Sequence, residues 1–310
     1  MRKMQSWILV GLLAGGLSAC STTQTAEDAL PAEDSVEVVE EESVPEVDVE
    51  ESAIRMALSL AAEGDHRSEE NRARNHYRNP VETLEFFGLQ ADQTVVELSP
   101  GRGWYTEVLA PVLAAEGRLI AGAFQYDPED VESYRTQIGE SYVALLASSP
   151  GIYSRVEMGI FEPPQAVELA EAGTADLVVS FRNFHGWHNR GMINDAMAEV
   201  YDVLKPGGVF GVVMHRAAEG SDPDETAPQG YLSEEYVVTI AEAAGFVLDG
   251  RSEINANPRD TKDYEHGVWS LPPTLRGGEE TAAQYLEIGE SDRMTLRFKK
   301  PAEGALEASE

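Results

Sequence analysis

VVELSPGRGWYTEVLAP, residues 95–111, decides how this chain is read. Its first four residues are the close of an apolar run that suits a buried strand over 94–98. SPGRG (99–103) then turns the chain, because glycine reaches backbone angles that other residues avoid. From 105 to 115 the apolar residues run without a glycine, which reads as a helix. Strand, glycine turn and helix in that order allow close approach to the backbone, and the helix N–H groups add donors for a nucleotide-like ligand. The same pattern also serves as a plain strand-to-helix turn, with Glu97 capping or solvated.

Outward from this loop the chain alternates. Strands are expected over 118–123, 152–158, 176–181, 209–215, 246–254 and 293–299. Helices are expected over 128–146, 163–171, 191–204 and 233–244, the last stopped by Gly245. Upstream, 53–63, 67–77 and 81–87 read as a helical lead-in within 53–90, with Pro80 suited to a first helical turn. Alternating strands and helices argue for an α/β fold, a mostly parallel sheet with helices on both faces. The long stretch 255–291 is polar and rich in Gly and Pro. Loops of that length in a compact domain are usually functional or disordered.

ELSPGRG (97–103) resembles the first motif of class I S-adenosylmethionine-dependent methyltransferases. ADLVVS (175–180) resembles their fourth-strand motif, and VLKPGGVF (203–210) the turn into their fifth strand. YRNPVETLEFFG (77–88), VLKPGGVFGVVMHR (203–216) and SDRMTLRFKKP (291–301) extend the resemblance to a family of bacterial predicted methyltransferases, often exported. It covers about residues 65–301 and implies a Rossmann-like sheet of seven strands with the last antiparallel. It also implies S-adenosylmethionine as cofactor. By the resemblance, Gly101 and Gly103 lie against the methionine part, Glu97 meets the ammonium, and Tyr105 and Thr106 contact the carboxylate. Two departures stand out. Ser99 replaces the first glycine of the usual loop. The second strand ends in AFQ (123–125) with no acid for the ribose hydroxyls, leaving Gln125 as the substitute and Asp127 slightly late.

FRNFHGWHN (181–189) follows the fourth parallel strand and belongs beside the cofactor's methyl group. Open α/β sheets bind ligands at the carboxyl ends of their strands. Methyl transfer needs alignment, exclusion of water and sometimes a base. His185 or His188 could take the proton, Arg182 could hold an anionic acceptor, and Asn183, Trp187 and Phe184 could line the substrate. His215 and Arg216 end the next strand at the same edge. Equally, one histidine could be bonded to backbone and Trp187 could be core. His185, His188 and His215 match no standard zinc spacing, so no metal is expected. Arg67, Arg72, Arg74 and Arg78 could close over an anion, though a solvated or ion-paired face is the plainer reading. Tyr264, His266 and Trp269 could belong to a lid.

The N-terminus reads separately. Arg2 and Lys3 precede an apolar run too short to span a bilayer, and LSAC (17–20) resembles the lipobox of bacterial lipoproteins. Cys20 is the sole cysteine, so no disulfide forms within the chain. The expectation is a signal over 1–20, acylation at Cys20 and a cell-envelope lipoprotein facing the periplasm. Ser21 leans it towards the outer membrane. Residues 21–52 hold twelve acids and no Lys or Arg, which suits a self-repelling acidic tether. The domain is then expected over 53–310.

Asp and Glu total 55 against 23 Lys and Arg, a net charge of −32. Such a chain repels phosphate backbones, so nucleic acid is not an expected partner. Two functions remain: a methyltransferase acting on a small-molecule or envelope substrate, or a non-catalytic or ligand-switched binding module on the same fold. Neither the acceptor nor the oligomeric state follows from the sequence.

Overall fold

The computed structural model of the protein describes residues 49–125 and 127–302. The expected signal, Cys20 and the tether up to residue 48 lie outside these residues. Four helices lead in: α1 (Val49–Ala62), α2 (Glu69–Arg72), α3 (Asn75–Arg78) and α4 (Pro80–Phe86). Then come β1 (Thr94–Leu98), α5 (Thr106–Leu113), β2 (Arg118–Ala123), α6 (Tyr134–Ser148), α7 (Pro150–Tyr153), β3 (Val156–Glu162) and β4 (Ala166–Glu168). The second half holds β5 (Ala175–Phe181), α8 (Phe184–Asn189), α9 (Ile193–Val203), β6 (Leu204–His215), α10 (Pro223–Thr226), α11 (Glu234–Ala243), β7 (Val247–Ser252), α12 (Glu279–Ile288) and β8 (Arg293–Lys299).

The strands form one sheet in the order β4-β3-β2-β1-β5-β6-β8-β7. β1, β2, β3, β5 and β6 run parallel, and β8 inserts antiparallel between β6 and β7. Neighbouring side chains on a strand point to opposite faces. Val95, Leu177, Val179 and Val213 therefore pack against α1, α4 and α5, around Leu58, Phe87 and Leu109. Val96, Val178 and Val212 face the other way, among Trp187, Met197, Val237 and Phe246. Both faces of the central strands are buried, which is why they read as unbroken apolar runs.

The sheet has eight strands where seven were expected. The extra one is β4, in the stretch expected as a helix over 163–171. Ala166–Glu168 pairs antiparallel with the otherwise open edge of β3, so sheet pairing overrides local helix propensity. β3 also starts later than expected, because Pro150–Tyr153 forms a helical turn that buries Tyr153. The expected helix over 67–77 is broken into α2 and α3, where the buried Arg67 side chain bonds Glu107, Asn75 and the Ala62 carbonyl. α1 begins at Val49, ahead of the expected start at 53, since no Gly or Pro interrupts 47–62. The long stretch 255–291 carries α12 and a 3-10 turn, Gly267–Ser270. No helix of the described residues is long and apolar enough to cross a membrane.

The chain leaves β1 towards β2 and β3, then returns to place β5 on the other side of β1. A reversal of this kind opens a crevice beyond the C-terminal ends of β1 and β5.

Candidate functional site

That crevice is a cavity of about 460 Å³, within the range of small-molecule sites. It follows the sheet edge from Phe124, after β2, to Arg293, at the start of β8. Four strand spacings separate those ends, about 19 Å at 4.8 Å each.

The loop after β1 supplies one wall. Ser99 sits at φ 45°, in the left-handed region, which explains why a glycine would be easy at this position. Its buried hydroxyl has no partner among the described residues, and it lines the cavity. Gly101, at φ 62°, also lines the cavity, and a Cβ on it would meet nothing within 4 Å. Gly103 has a different job. At φ 83°, its Cβ would lie 2.2 Å from a Leu145 methyl and 3.2 Å from the Tyr142 ring. It allows α6 to pack against the loop and does not line the cavity, which corrects its expected contact with a ligand.

Glu97 lies at the floor of the cavity, 1% exposed, with no ion-pair partner among the described residues. Burial raises its carboxyl to about 7, against a hydrogen bond from Thr106 and the positive charge of Arg182. Thr106 Oγ1 donates to Glu97 Oε2 at 2.5 Å and lies 3.1 Å from the Tyr142 hydroxyl. Thr106 is fully buried behind Glu97, so it positions that carboxylate; this corrects its expected role as a ligand contact. Tyr105 lines the cavity through its ring, stacked on Phe181 at 3.4 Å between centroids. Its hydroxyl donates to the Arg78 carbonyl.

Beyond β5, Arg182 adopts φ 67° and turns into α8. Asn183 lines the cavity and ties β1 to β5, its amide donating to the Leu98 carbonyl at 2.9 Å and Ser180 Oγ at 3.2 Å. His185 lines the cavity with Nδ1 unpartnered among the described residues. Burial, then the charges of Arg182 and Arg190, lower it to about 4, so it is neutral at ordinary pH. Its ring is 6.1 Å from that of His215 and 5.9 Å from that of Trp269. Trp187 borders the cavity but is 1% exposed and packs on Phe161 and Phe184, so it is chiefly core.

His215 ends β6 with Nδ1 2.6 Å from Ser291 Oγ. Burial and the charge of Arg293 push its imidazole well below the ordinary value. Arg293 stands opposite His215 in the β6–β8 register. Its guanidinium meets Glu290, which also accepts from Arg74 Nε at 2.6 Å and Arg78 Nε at 3.0 Å. Burial alone would raise the Glu290 carboxyl, but the guanidiniums of Arg78, Arg293 and Arg74 hold it well below the usual carboxylate range.

Three further expected site residues are directed elsewhere. His188, three residues beyond His185 on α8, does not line the cavity; its Nδ1 lies 2.6 Å from the Tyr236 hydroxyl and its Nε2 3.0 Å from Asp224. Arg216 lies past the end of β6 and is absorbed by ion pairs with Glu253 and Asp292. Gln125 is exposed and borders a separate pocket with Asp127, so neither side chain lines the cavity. The separation of His188 from His185 and His215 also removes the three-histidine arrangement. Among the described residues no group of three or more His, Cys, Asp or Glu could hold a metal ion.

Of the lead-in arginines, Arg67 bonds Glu107 of α5 and Arg72 bonds the Arg67 carbonyl, while Arg74 and Arg78 border the cavity. Of the expected lid, Trp269 lines the cavity. Tyr264 borders a different pocket, against Tyr285. Sequence reasoning missed Arg293, Glu290, Ser291 and Arg190. A signal existed for one of them: Arg293 is a charged residue opening a strand that is otherwise buried.

The sequence matches no family model and no curated protein. Solved structures match the fold. The [4+2]-cyclase SpnF aligns with a TM-score of 0.50 and 16% identity, over 82% of this chain and 95% of that one. Haemonchus contortus phosphoethanolamine N-methyltransferase 2, in complex with S-adenosyl-L-methionine, aligns with a TM-score of 0.50 and 16% identity, over 81% of this chain and 57% of that one. The domain has the Rossmann-like fold of class I S-adenosylmethionine-dependent methyltransferases.

Proposed function

We propose, from this fold and the carboxylate buried at its sheet edge, that the protein is an S-adenosylmethionine-dependent methyltransferase. The observation that carries the reading is Glu97: a buried carboxylate with no ion pair among the described residues, at the floor of a cavity lined by Gly101 and by Ser99, whose hydroxyl has no partner among them. Such a group is costly unless something charged completes it. An amino-acid ammonium does so. The donor set thus fits the methionine end of the cofactor: Glu97 for the ammonium, Ser99 as a further hydrogen-bonding group, and Gly101 for close backbone approach. Phe124, Tyr134 and Ile138 supply apolar surface further along the edge.

Bound there, the cofactor supplies a methyl group on a cationic sulfur. The chain's own part is to align the acceptor and exclude water. Asn183 holds the β1 and β5 ends together, and Trp187 and Trp269 wall the cavity. His185 offers a neutral imidazole to the acceptor's proton. Its weak basicity suits an acceptor whose lone pair is already free or whose proton is already acidic.

A second reading draws on one observation. The segment after β2 offers no acid to a ribose, which favours a ligand-switched binding module on the same sheet. Calorimetric titration of the full chain with S-adenosylmethionine and S-adenosylhomocysteine separates the two. Micromolar binding of both, abolished in Glu97→Arg, supports the methyltransferase. No binding up to millimolar ligand by folded protein overturns it and leaves the module.

The same proposal places the protein in the bacterial cell envelope, acylated at Cys20, facing the periplasm and directed to the outer membrane. It rests on LSAC (17–20), the sole cysteine and the acidic stretch after it. Acyl chains would provide the anchor. Labelling cells with radioactive palmitate should mark the wild type and not Cys20→Ser; absence of label in the wild type would refute it.

A further inference from the structure

We infer that the acceptor, in the reading just proposed, is a small oxyanion, a carboxylate or phosphate ester, bound by Arg182 and Arg74 at the β8 end of the cavity. The wall there is cationic in a chain of net charge −32. Arg74 and Arg78 at the two ends of α3, Arg182 after β5 and Arg293 at the start of β8 come from three separate parts of the sequence and all line it. The one carboxylate among them is Glu290, which takes Arg74, Arg78 and Arg293 together. Three positive charges are left over. Arg182 has no ion pair among the described residues, and both Arg182 Nη1 and Arg74 Nη2 are buried without a hydrogen-bond partner there.

The excess strains the site. Burial, then the charge of Arg293, lowers Arg182 to about 10 despite the opposing Glu290. Buried guanidinium groups without partners are expensive. Glu97 does not balance them: burial raises its carboxyl to about 7, and in the reading just proposed it is the partner of the cofactor's ammonium. An incoming oxyanion would satisfy the free N–H groups and the charge together. Guanidinium forks match carboxylate and phosphate geometry. Long polyanions are excluded by the acidic exterior and by a cavity of about 460 Å³.

The test uses the full chain, with and without S-adenosylhomocysteine. Inorganic phosphate, benzoate and its neutral isostere benzamide are titrated by calorimetry against wild type and Arg182→Gln. Phosphate or benzoate should bind and benzamide should not; the tighter of the two anions identifies the class. Arg182→Gln should fold, because it removes a repelled charge. It should weaken the anions at least tenfold and leave S-adenosylhomocysteine within threefold. Equal binding of benzoate and benzamide, or unchanged anion affinity in Arg182→Gln, overturns the inference. So does a parallel loss of S-adenosylhomocysteine, which would assign Arg182 to the cofactor's own carboxylate. S-Adenosylhomocysteine binding with no anion binding sinks the anion site alone. Anion binding without S-adenosylhomocysteine sinks the methyltransferase reading and leaves the anion site standing. If neither binds, both fall.

Discussion

Replacing Glu97 by glutamine should change how stability responds to pH. Glu97 is 1% exposed and has no ion pair among the described residues, and burial moves its carboxyl from 4.5 to about 7. Between those values the folded protein keeps a proton that the unfolded chain has lost. The stability that depends on this proton is therefore complete below pH 4.5 and is lost as pH rises through 7. At about 1.4 kcal/mol for each pH unit, the loss amounts to about 3 kcal/mol above pH 8. Glutamine has no charge to bury, so this loss disappears. Its carbonyl can still accept from Thr106, while its amide protons need a new acceptor, a penalty of about 1–3 kcal/mol that does not vary with pH. The informative quantity is thus the change of the difference with pH. Urea unfolding followed by circular dichroism from pH 4.5 to 8.5 should show Glu97→Gln gaining about 3 kcal/mol on wild type across the range. Saturating S-adenosylhomocysteine should shrink the gain, because its ammonium stabilises the ionised wild-type carboxylate. Parallel stability curves would refute the argument that Glu97 is an uncompensated buried acid.

The same carboxylate predicts pH-dependent binding: S-adenosylhomocysteine affinity should rise about tenfold per pH unit between 5 and 6.5 and level off above 8, a profile absent in Glu97→Gln. The two loop glycines should separate by readout. Gly103→Ala, strained at its positive φ and pressed on Leu145 and Tyr142, should lose about 1–3 kcal/mol of stability in denaturant titrations. Gly101→Ala has open space around it, so it should lose about 1–2 kcal/mol to backbone strain alone, and its larger effect should be on cofactor affinity by calorimetry. His188→Ala breaks bonds to Tyr236 and Asp224 outside the cavity. It should lower stability by about 1 kcal/mol and leave ligand affinities unchanged; a tenfold loss of affinity would show that His188 reaches the site.

Several elements of the site were legible because they are local. Ser99 and Gly101 follow a strand and precede a helix in sequence, so the turn between them had to stand at a strand's C-terminal end. Asn183 and His185 follow β5 directly and fall at the same edge. His188 shows where local reading stops. Three residues from His185, it belonged to the same cluster on paper. Once 184–189 coils into α8, the packing of that helix decides which imidazole faces the cavity, and Trp187 and Phe184 take the core side. Gln125 and Thr106 fail for a similar reason: proximity to the loop does not say which side of the backbone a side chain occupies. The helix expected over 163–171 became β4 because an open strand edge lay beside it, which no local propensity records.

By itself, the sequence determined the alternation of strands and helices, the two-faced burial of the central strands, and the turn that frames the cavity. Those follow from spacing along the chain, where each residue's neighbours are its own. Tertiary structure alone decided the charge of the cavity. Arg74, Arg78, Arg182, Glu290 and Arg293 are scattered from one end of the domain to the other, and they meet because β8 runs antiparallel between β6 and β7. That direction brings the start of β8, with Arg293 opposite His215, to the edge where β1, β5 and β6 end. An electrostatic field is a sum over positions in space, and here those positions are assigned by strand order and register.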